Sequence, residues 1–459
     1  MSEYISKLMD RARAAQKQIE FFSQEQVDNM CERIAWATIQ EDFAQKIAEF
    51  AFEETQMGDV SSKYGKMMNK VRGGWFDMKG EKSTGVIEEN KALGLIKIAK
   101  PVGVIGALVP CTNCEATEVL KAMSAIKTRN AIILAPHPRA RKTNEIVVNK
   151  MREALEAGGY PADLIIHMDE VTMDNSQDLM EQCDLILATG GGGLVKAAYS
   201  SGTPAYGVGA GNAVTIVDDT QDMAVVADKI KRSKTFDQAT SCSAENACLI
   251  QDTIYNTFVA ALQDEGGYLC DEDEKNKLQT ALWPDGVHLN RDVVAQPAAK
   301  IARIAGIDLP EDRCFFFVEE SGIGADFPFS GEKLSVVTAV YKWDNFDNAV
   351  QMVNDITNFS GAGHSCGIHS SNEERVMQLS EQVKVSRVMV NQPQCLANSG
   401  AWTNGMPMTL TLGCGTWGGN ISSENITWKH LMNTTWVSSP IANRQPDDKE
   451  LFSEQVRKG

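Results

Sequence analysis

From Lys100 onward the sequence alternates short, continuously apolar runs with longer amphipathic stretches, and this rhythm leaves few architectures open. The runs are Val102–Val109, Ala131–Ala135, Leu164–His167, Leu185–Ala188 and Val214–Val217. Between them the spacing predicts helices over about 116–127, 143–157, 194–200 and 221–234. A strand that is apolar at every position is covered on both faces, and parallel strands with helical crossovers supply that cover. The first part of the chain therefore reads as a doubly wound α/β domain over residues 1–232. After Cys242 the pattern restarts with Ala247–Ile250, Phe315–Val318, Ser335–Tyr341, Cys366–His369 and Arg387–Val390, interleaved with helical patterns near 255–263, 347–354 and 373–382. A second α/β domain over 233–414 fits. The Gly-, Thr- and Trp-rich stretch 400–420 has loop composition and is expected to wrap over a cleft, leaving 415–459 as a return segment and tail.

Composition narrows the partners. The 459 residues carry 44 Lys+Arg against 61 Asp+Glu, a net charge of −17, with no long basic run. Nucleic acid and anionic membranes both require a positive face, so a small molecule is the expected partner. The N-terminal segment MSEYISKLMDRARAAQKQIEFF lacks the apolar core of a signal peptide and reads as an amphipathic helix. No apolar stretch approaches the ~20 residues that cross a bilayer. Eleven irregularly spaced Cys suit free thiols in a reducing compartment, and a cytoplasmic location is expected.

Several residues carry possible chemistry. Cys242 sits among small polar residues between a helical pattern and an apolar strand, a setting in which a thiolate nucleophile can be stabilised. Four glycines, Gly190, Gly191, Gly192 and Gly193, join a strand to a helix, where backbone N–H groups can approach a phosphate or simply make a tight turn. Arg139, Arg141 and Lys142 follow the Ala131–Ala135 run and could meet an adenosine ribose, a 2′-phosphate or only solvent. Asn113 follows the first strand and could donate to an oxyanion or cap a helix. Cys111 and Cys114 have C-x-x-C spacing but no second pair or nearby His, so no metal is expected. Glu332 and His364 stand in glycine-flanked loops.

Taken in order, these segments resemble the CoA-acylating branch of the aldehyde dehydrogenase superfamily over nearly the whole chain. The marks are PVGVIGALVPCTN at 101–113, APHPRA at 135–140, AYSSGTPAYGVGAGN at 198–212, SKTFD at 233–237, GEKLS at 331–335 and TLGCGTWGGN at 411–420. The resemblance implies an aldehyde dehydrogenase-like fold: a Rossmann-type cofactor domain, an α/β catalytic domain and a small β-ribbon for oligomerisation formed by 84–98 and the C-terminal segment. It implies Cys242 as nucleophile, Asn113 as oxyanion donor with the Cys242 N–H, and His364 handling protons. It places Pro110, Thr112, His137, Pro138, Arg139, Gly190–Gly193, Val208, Gly209, Glu332 and Leu334 around the nicotinamide cofactor, NAD or NADP, with Glu332 on the nicotinamide ribose. Hydrolytic relatives carry a water-activating Glu where this chain has Val208, so acyl release is expected to need the CoA thiol.

By the same resemblance, Thr240, Ser241 and Ser243 flank the nucleophile and would line a polar substrate pocket, with Asn391 contributing. The segments 391–400 and 405–420 look most like acylating sulfoacetaldehyde dehydrogenases, so sulfoacetaldehyde is the expected aldehyde, with acetaldehyde or another short aldehyde as the alternative. A permanently ionised sulfonate needs hydroxyls, amides or a cation to replace water. The resemblance also leads us to expect a homodimer or homotetramer. A non-catalytic, shell-associated or scaffold protein docking through the N-terminal helix is the reading from another class.

Overall fold

The computed structural model describes residues 2–458. Its strands are β1 (Gly85–Asn90), β2 (Leu95–Pro101), β3 (Val104–Val109), β4 (Ala131–Pro136), β5 (Ile165–His167), β6 (Leu185–Thr189), β7 (Ala205–Val208), β8 (Ala213–Val217), β9 (Glu245–Gln251), β10 (Gly267–Leu269), β11 (Phe315–Glu319), β12 (Val337–Trp343), β13 (Cys366–His369), β14 (Val388–Val390) and β15 (Met432–Ser438). They form a parallel five-stranded sheet in the order β5-β4-β3-β6-β7, a parallel seven-stranded sheet in the order β10-β11-β12-β9-β8-β13-β14, and a three-stranded antiparallel ribbon β1-β2-β15. The expected α/β architecture with a Rossmann-type sheet is what the chain adopts.

In the first sheet the chain runs from β3 outward to β5 and then returns to β6 on the other side of β3. That reversal opens a crevice at the carboxyl ends of β3 and β6, the place where open parallel sheets take their ligands. Beneath it lies the helix Cys114–Lys127, buried along its whole length. The Lys121 ammonium donates to the carbonyls of Leu108 (2.8 Å) and Leu187 (3.0 Å), tying the two strands that border the crevice.

The chain divides earlier than the pattern suggests. Val214–Val217, assigned from its rhythm to the first domain, forms β8 between β9 and β13 in the second sheet. The following helix Met223–Thr235 buries Val226, Ala227 and Ile230 in the second core. A boundary at 232 is therefore corrected to the turn 209–212. A buried parallel strand has the same all-apolar signature in either sheet, so periodicity does not reveal which sheet it joins. Conversely, Ile426, Trp428 and Leu431 of the return segment pack into the first core.

The N-terminal helix Glu3–Ile19 buries Ile5, Leu8, Met9, Ala12, Ala15 and Ile19 against the first domain. Its apolar face is therefore covered by its own domain and is not free for docking. Helices over 24–38, 41–55, 60–66 and 72–78, the last two joined by a π-helical turn at 67–71, complete this side. Among the described residues, no helix is long and apolar enough to cross a membrane.

Candidate active site

Three candidate residues precede strands of the second sheet: Cys242 before β9, Glu332 before β12 and His364 before β13. Because the sheet is parallel, these loops gather at one end, and Gly211, before β8, lies among them. The amino ends of this sheet face the carboxyl ends of the first across a cleft of about 480 Å³. Its walls include Gly192, Val195 and Gly209 from the cofactor side and Gly361, Ala362 and Cys414 from the catalytic side. The stretch 400–420 supplies part of this wall, as its composition suggests.

At the centre, Cys242 Sγ lies 3.0 Å from His364 Nε2, and His364 Nδ1 lies 2.8 Å from Ser365 Oγ. Burial, with the Glu332 carboxylate adding to it, pushes the Cys242 thiol up to about 12. Burial and the Arg387 guanidinium push His364 down to about 3. The resting pair is thus a thiol beside a neutral imidazole. The sequence alone suggests that small polar neighbours could stabilise a thiolate; here desolvation outweighs them, and His364 Nε2 is the base within reach of the thiol proton.

Glu332 accepts the Gly211 N–H at 3.1 Å, and burial raises its pKa to about 7. The Gly211 backbone presses so closely on the nucleophile that an added Cβ would stand 2.2 Å from the Cys242 carbonyl oxygen. Leu334 adopts a left-handed backbone (φ 40°) and its carbonyl accepts the Ala295 N–H at 2.8 Å.

The approach to Cys242 is unusual. Asp237, Gln238 and Ala239 all have positive φ (48°, 53° and 60°), a conformation that costs L-residues roughly 1–2 kcal/mol each. Asp237 holds this turn through its side chain: it accepts from Asp59 N (2.7 Å), Lys66 Nζ (2.6 Å) and Thr240 Oγ1 (2.9 Å), and Lys63 Nζ lies at 3.2 Å.

Asn113 begins the Cys114–Lys127 helix without capping it through its side chain. Its Oδ1 accepts from Lys66 Nζ at 2.7 Å, and its Nδ2 donates only a long 3.3 Å bond to Thr112 Oγ1. Lys66, Asp237, Glu115 and Arg387 were not singled out from the sequence. A lysine or aspartate inside a helical or loop pattern gives no sign that it is buried, although Asp237 lies within the SKTFD segment.

Two pocket candidates are corrected. Thr240 is buried and its hydroxyl is committed to Asp237, so it braces the loop. Asn391 follows the carboxyl end of β14, the opposite end of the parallel sheet from Cys242. Its amide accepts from Ser370 N (3.0 Å) and donates to Ser370 O (2.8 Å), closing a turn remote from the nucleophile. Ser241 and Ser243 remain beside Cys242; Ser243 Oγ is buried with no partner, while Ser241 Oγ accepts the Ser243 N–H at 3.2 Å.

The cofactor candidates follow the carboxyl ends of the first sheet: Pro110 and Thr112 after β3, His137, Pro138 and Arg139 after β4, Gly190–Gly193 after β6, and Val208 and Gly209 at the end of β7. Cβ atoms added at Gly191, Gly192 and Gly193 would meet nothing within 4 Å, so the backbone there is open to a ligand. The helix Gly192–Ser200 starts at this turn with no side-chain cap. The basic cluster is less free than its sequence suggests, since Arg141 pairs with Asp169 at 2.5 Å and Arg139 donates to the Thr55 carbonyl. Cys111 and Cys114 do not form a joint site: Cys114 is buried within the helix, whereas Cys111 is half-buried with its sulfur 3.8 Å from Met57 Sδ.

The aldehyde dehydrogenase family model matches residues 2–274. The chain is 44% identical to a sulfoacetaldehyde dehydrogenase of Acholeplasma sp, over 99% of this chain and 94% of that protein. It is 42% identical to the sulfoacetaldehyde dehydrogenase (acylating) of Bilophila wadsworthia, over 99% of each. The crystal structure of an acetylating aldehyde dehydrogenase from Geobacillus thermoglucosidasius superposes with a TM-score of 0.93 at 36% identity, covering 96% of this chain and 98% of that one. The chain belongs to the aldehyde dehydrogenase family. Within that family it is an acylating aldehyde dehydrogenase, an oxidoreductase, and is similar throughout its length to the sulfoacetaldehyde-acting members.

Proposed function

We propose that the enzyme interconverts sulfoacetaldehyde, CoA and NAD(P)⁺ with sulfoacetyl-CoA and NAD(P)H. The observation that carries the substrate reading is the polar rim of the nucleophile within a chain 42–44% identical to sulfoacetaldehyde dehydrogenases. Ser243 Oγ, buried beside Cys242 and unpartnered, is a donor awaiting an acceptor. A buried polar group left unpaired costs roughly 1–3 kcal/mol, and a sulfonate oxygen relieves that cost where an alkyl tail does not.

The crevice fits a nicotinamide dinucleotide. The open Gly190–Gly193 turn and uncapped helix start suit a pyrophosphate, and the Glu332 carboxylate suits ribose hydroxyls. When bound there, the nicotinamide supplies the hydride acceptor. The chain's own residues do the rest. His364 takes the Cys242 proton as the sulfur attacks the aldehyde carbonyl, giving a thiohemiacetal on Cys242. The Asn113 Nδ2–H and the Cys242 N–H hold the developing oxyanion. Once the acyl-cysteine has formed, release falls to the CoA thiol, because Val208 at the end of β7 is apolar and buried and takes no proton from water.

The test is the rate of NAD(P)H formation with CoA present, comparing sulfoacetaldehyde with acetaldehyde and propionaldehyde. Sulfoacetaldehyde is expected to lead by ~100-fold in kcat/KM, about 2.7 kcal/mol of differential transition-state binding. A lead by the simple aldehydes overturns the substrate reading, and undiminished acid production without CoA overturns the route of release.

A further inference from the structure

We propose that Lys66 is a positioning residue for the reaction, fixing which end of the Asn113 amide faces the reacting aldehyde. The inference rests on the oxyanion role given to Asn113 above. An asparagine side chain presents a donor at one end and an acceptor at the other, in nearly the same shape. An oxyanion is stabilised by the Nδ2 end and repelled by the Oδ1 end. A lysine ammonium only donates, so its 2.7 Å contact with Oδ1 is compatible with one orientation of the amide, the one that leaves Nδ2 for the substrate. Thr112 Oγ1, 3.3 Å from Nδ2, can donate as well as accept and does not discriminate on its own.

Lys66 is equipped to hold this choice. It is 3% exposed, bonded to Asp237 Oδ2 at 2.6 Å and paired with Glu115 Oε1 at 2.8 Å. Burial opposes its charge, but the two carboxylates outweigh burial and keep its pKa above that of an ordinary lysine. The ammonium is therefore permanent across the working pH range. The same group contacts both halves of the active site: Asn113 from the first domain, and Asp237 at the base of the left-handed turn that leads to Cys242. Asp237 also keeps its bonds to Asp59 N, Thr240 Oγ1 and Lys63 Nζ, so the nucleophile loop does not hang on this one charge, whereas the Asn113 amide orientation does.

A double-mutant cycle tests the assignment, using Lys66→Met, Asn113→Ala and the pair, with kcat, KM and the rate of Cys242 alkylation by iodoacetamide measured for each. Asn113→Ala is expected to lower kcat by about 100-fold, the usual effect of removing one oxyanion donor. Lys66→Met is expected to lower kcat by a similar factor, with KM for the cofactor and the alkylation rate held within about twofold. In the pair, Lys66→Met is expected to add nothing to Asn113→Ala, because the two act as one unit. Multiplying losses, or full activity in a folded Lys66→Met, overturns the positioning role. Full activity in Asn113→Ala overturns the oxyanion reading itself, so the two failures are distinguishable. Should Lys66→Met not fold, Lys66→Met/Glu115→Gln, which leaves one fewer unpaired buried carboxylate, takes its place in the same cycle.

Discussion

Cys242 and His364 rest 3.0 Å apart with pKa values pushed outward, the thiol to about 12 and the imidazole to about 3. Each uncharged form is the one that desolvation favours, so the resting pair is weighted toward thiol and neutral imidazole. A pH dependence follows. Alkylation of Cys242 by iodoacetamide should be nearly flat between pH 5 and 8, because His364 is already neutral and competent as a base above its pKa of about 3. Replacing His364 by Ala should slow alkylation at pH 7 by about 100-fold. It should also make the rate climb nearly tenfold per pH unit toward the thiol's own pKa, since only spontaneous thiolate then reacts. A His364→Ala variant with an unchanged, flat profile would show that another group takes the proton. The sequence singled out both residues, and the structure brings them together, but the direction in which burial moves the thiol was not legible there. Composition around a thiol shows which groups are near, and burial decides whether they prevail.

At the scale of elements, the strands that carry an unbroken apolar run, β3, β4 and β6, were legible because burial on both faces leaves a one-dimensional signature. The sheet to which β8 belongs was not legible, because pairing partners are set by tertiary packing. The helices between Gln24 and Met78 were also missed, and with them Lys63 and Lys66, whose burial depends on the opposing Asp237. Glycine-rich loops were visible as loops, but the sequence does not show which glycine is indispensable. Gly211 is the strongest case: its backbone donates to Glu332, and a side chain there collides with the Cys242 carbonyl at 2.2 Å. Since the obstacle is backbone on both sides, the loop must shift. Gly211→Ala should therefore lower kcat/KM by more than 10-fold, over about 1.4 kcal/mol, with far-ultraviolet circular dichroism unchanged. Wild-type turnover in that variant would mean the nucleophile loop yields freely. Gly191 offers the contrast, since a methyl group there meets no protein atom within 4 Å and would disturb only a bound ligand.

For the molecule as a whole, the ribbon is the part that the rest of the chain does not explain. Strands β1 and β15 are exposed at almost every position, and β15 pairs with β2 alone among the described residues. Trp436 (53% exposed), Val437 (41%) and Val86 (47%) face outward, with the Lys97 ammonium 5.0 Å from the Trp436 ring. A three-stranded ribbon without a buried face is only marginally stable, and an open edge strand is a template for another chain. The homo-oligomer expected from the sequence would pair along this open edge, and that expectation is testable. Every residue assigned to catalysis comes from one chain, so assembly and chemistry should separate. Trp436→Glu places a charge on the apolar face and should shift the mass measured by light scattering toward the monomer. The kcat per chain should change less than about twofold, because Cys242, His364, Glu332 and Asn113 sit in loops at the ends of the two parallel sheets, whereas the ribbon is a separate sheet. A wild-type protein that stays monomeric at micromolar concentration would remove the ribbon's assembly role, and a parallel loss of kcat in Trp436→Glu would show that the site depends on the neighbouring copy.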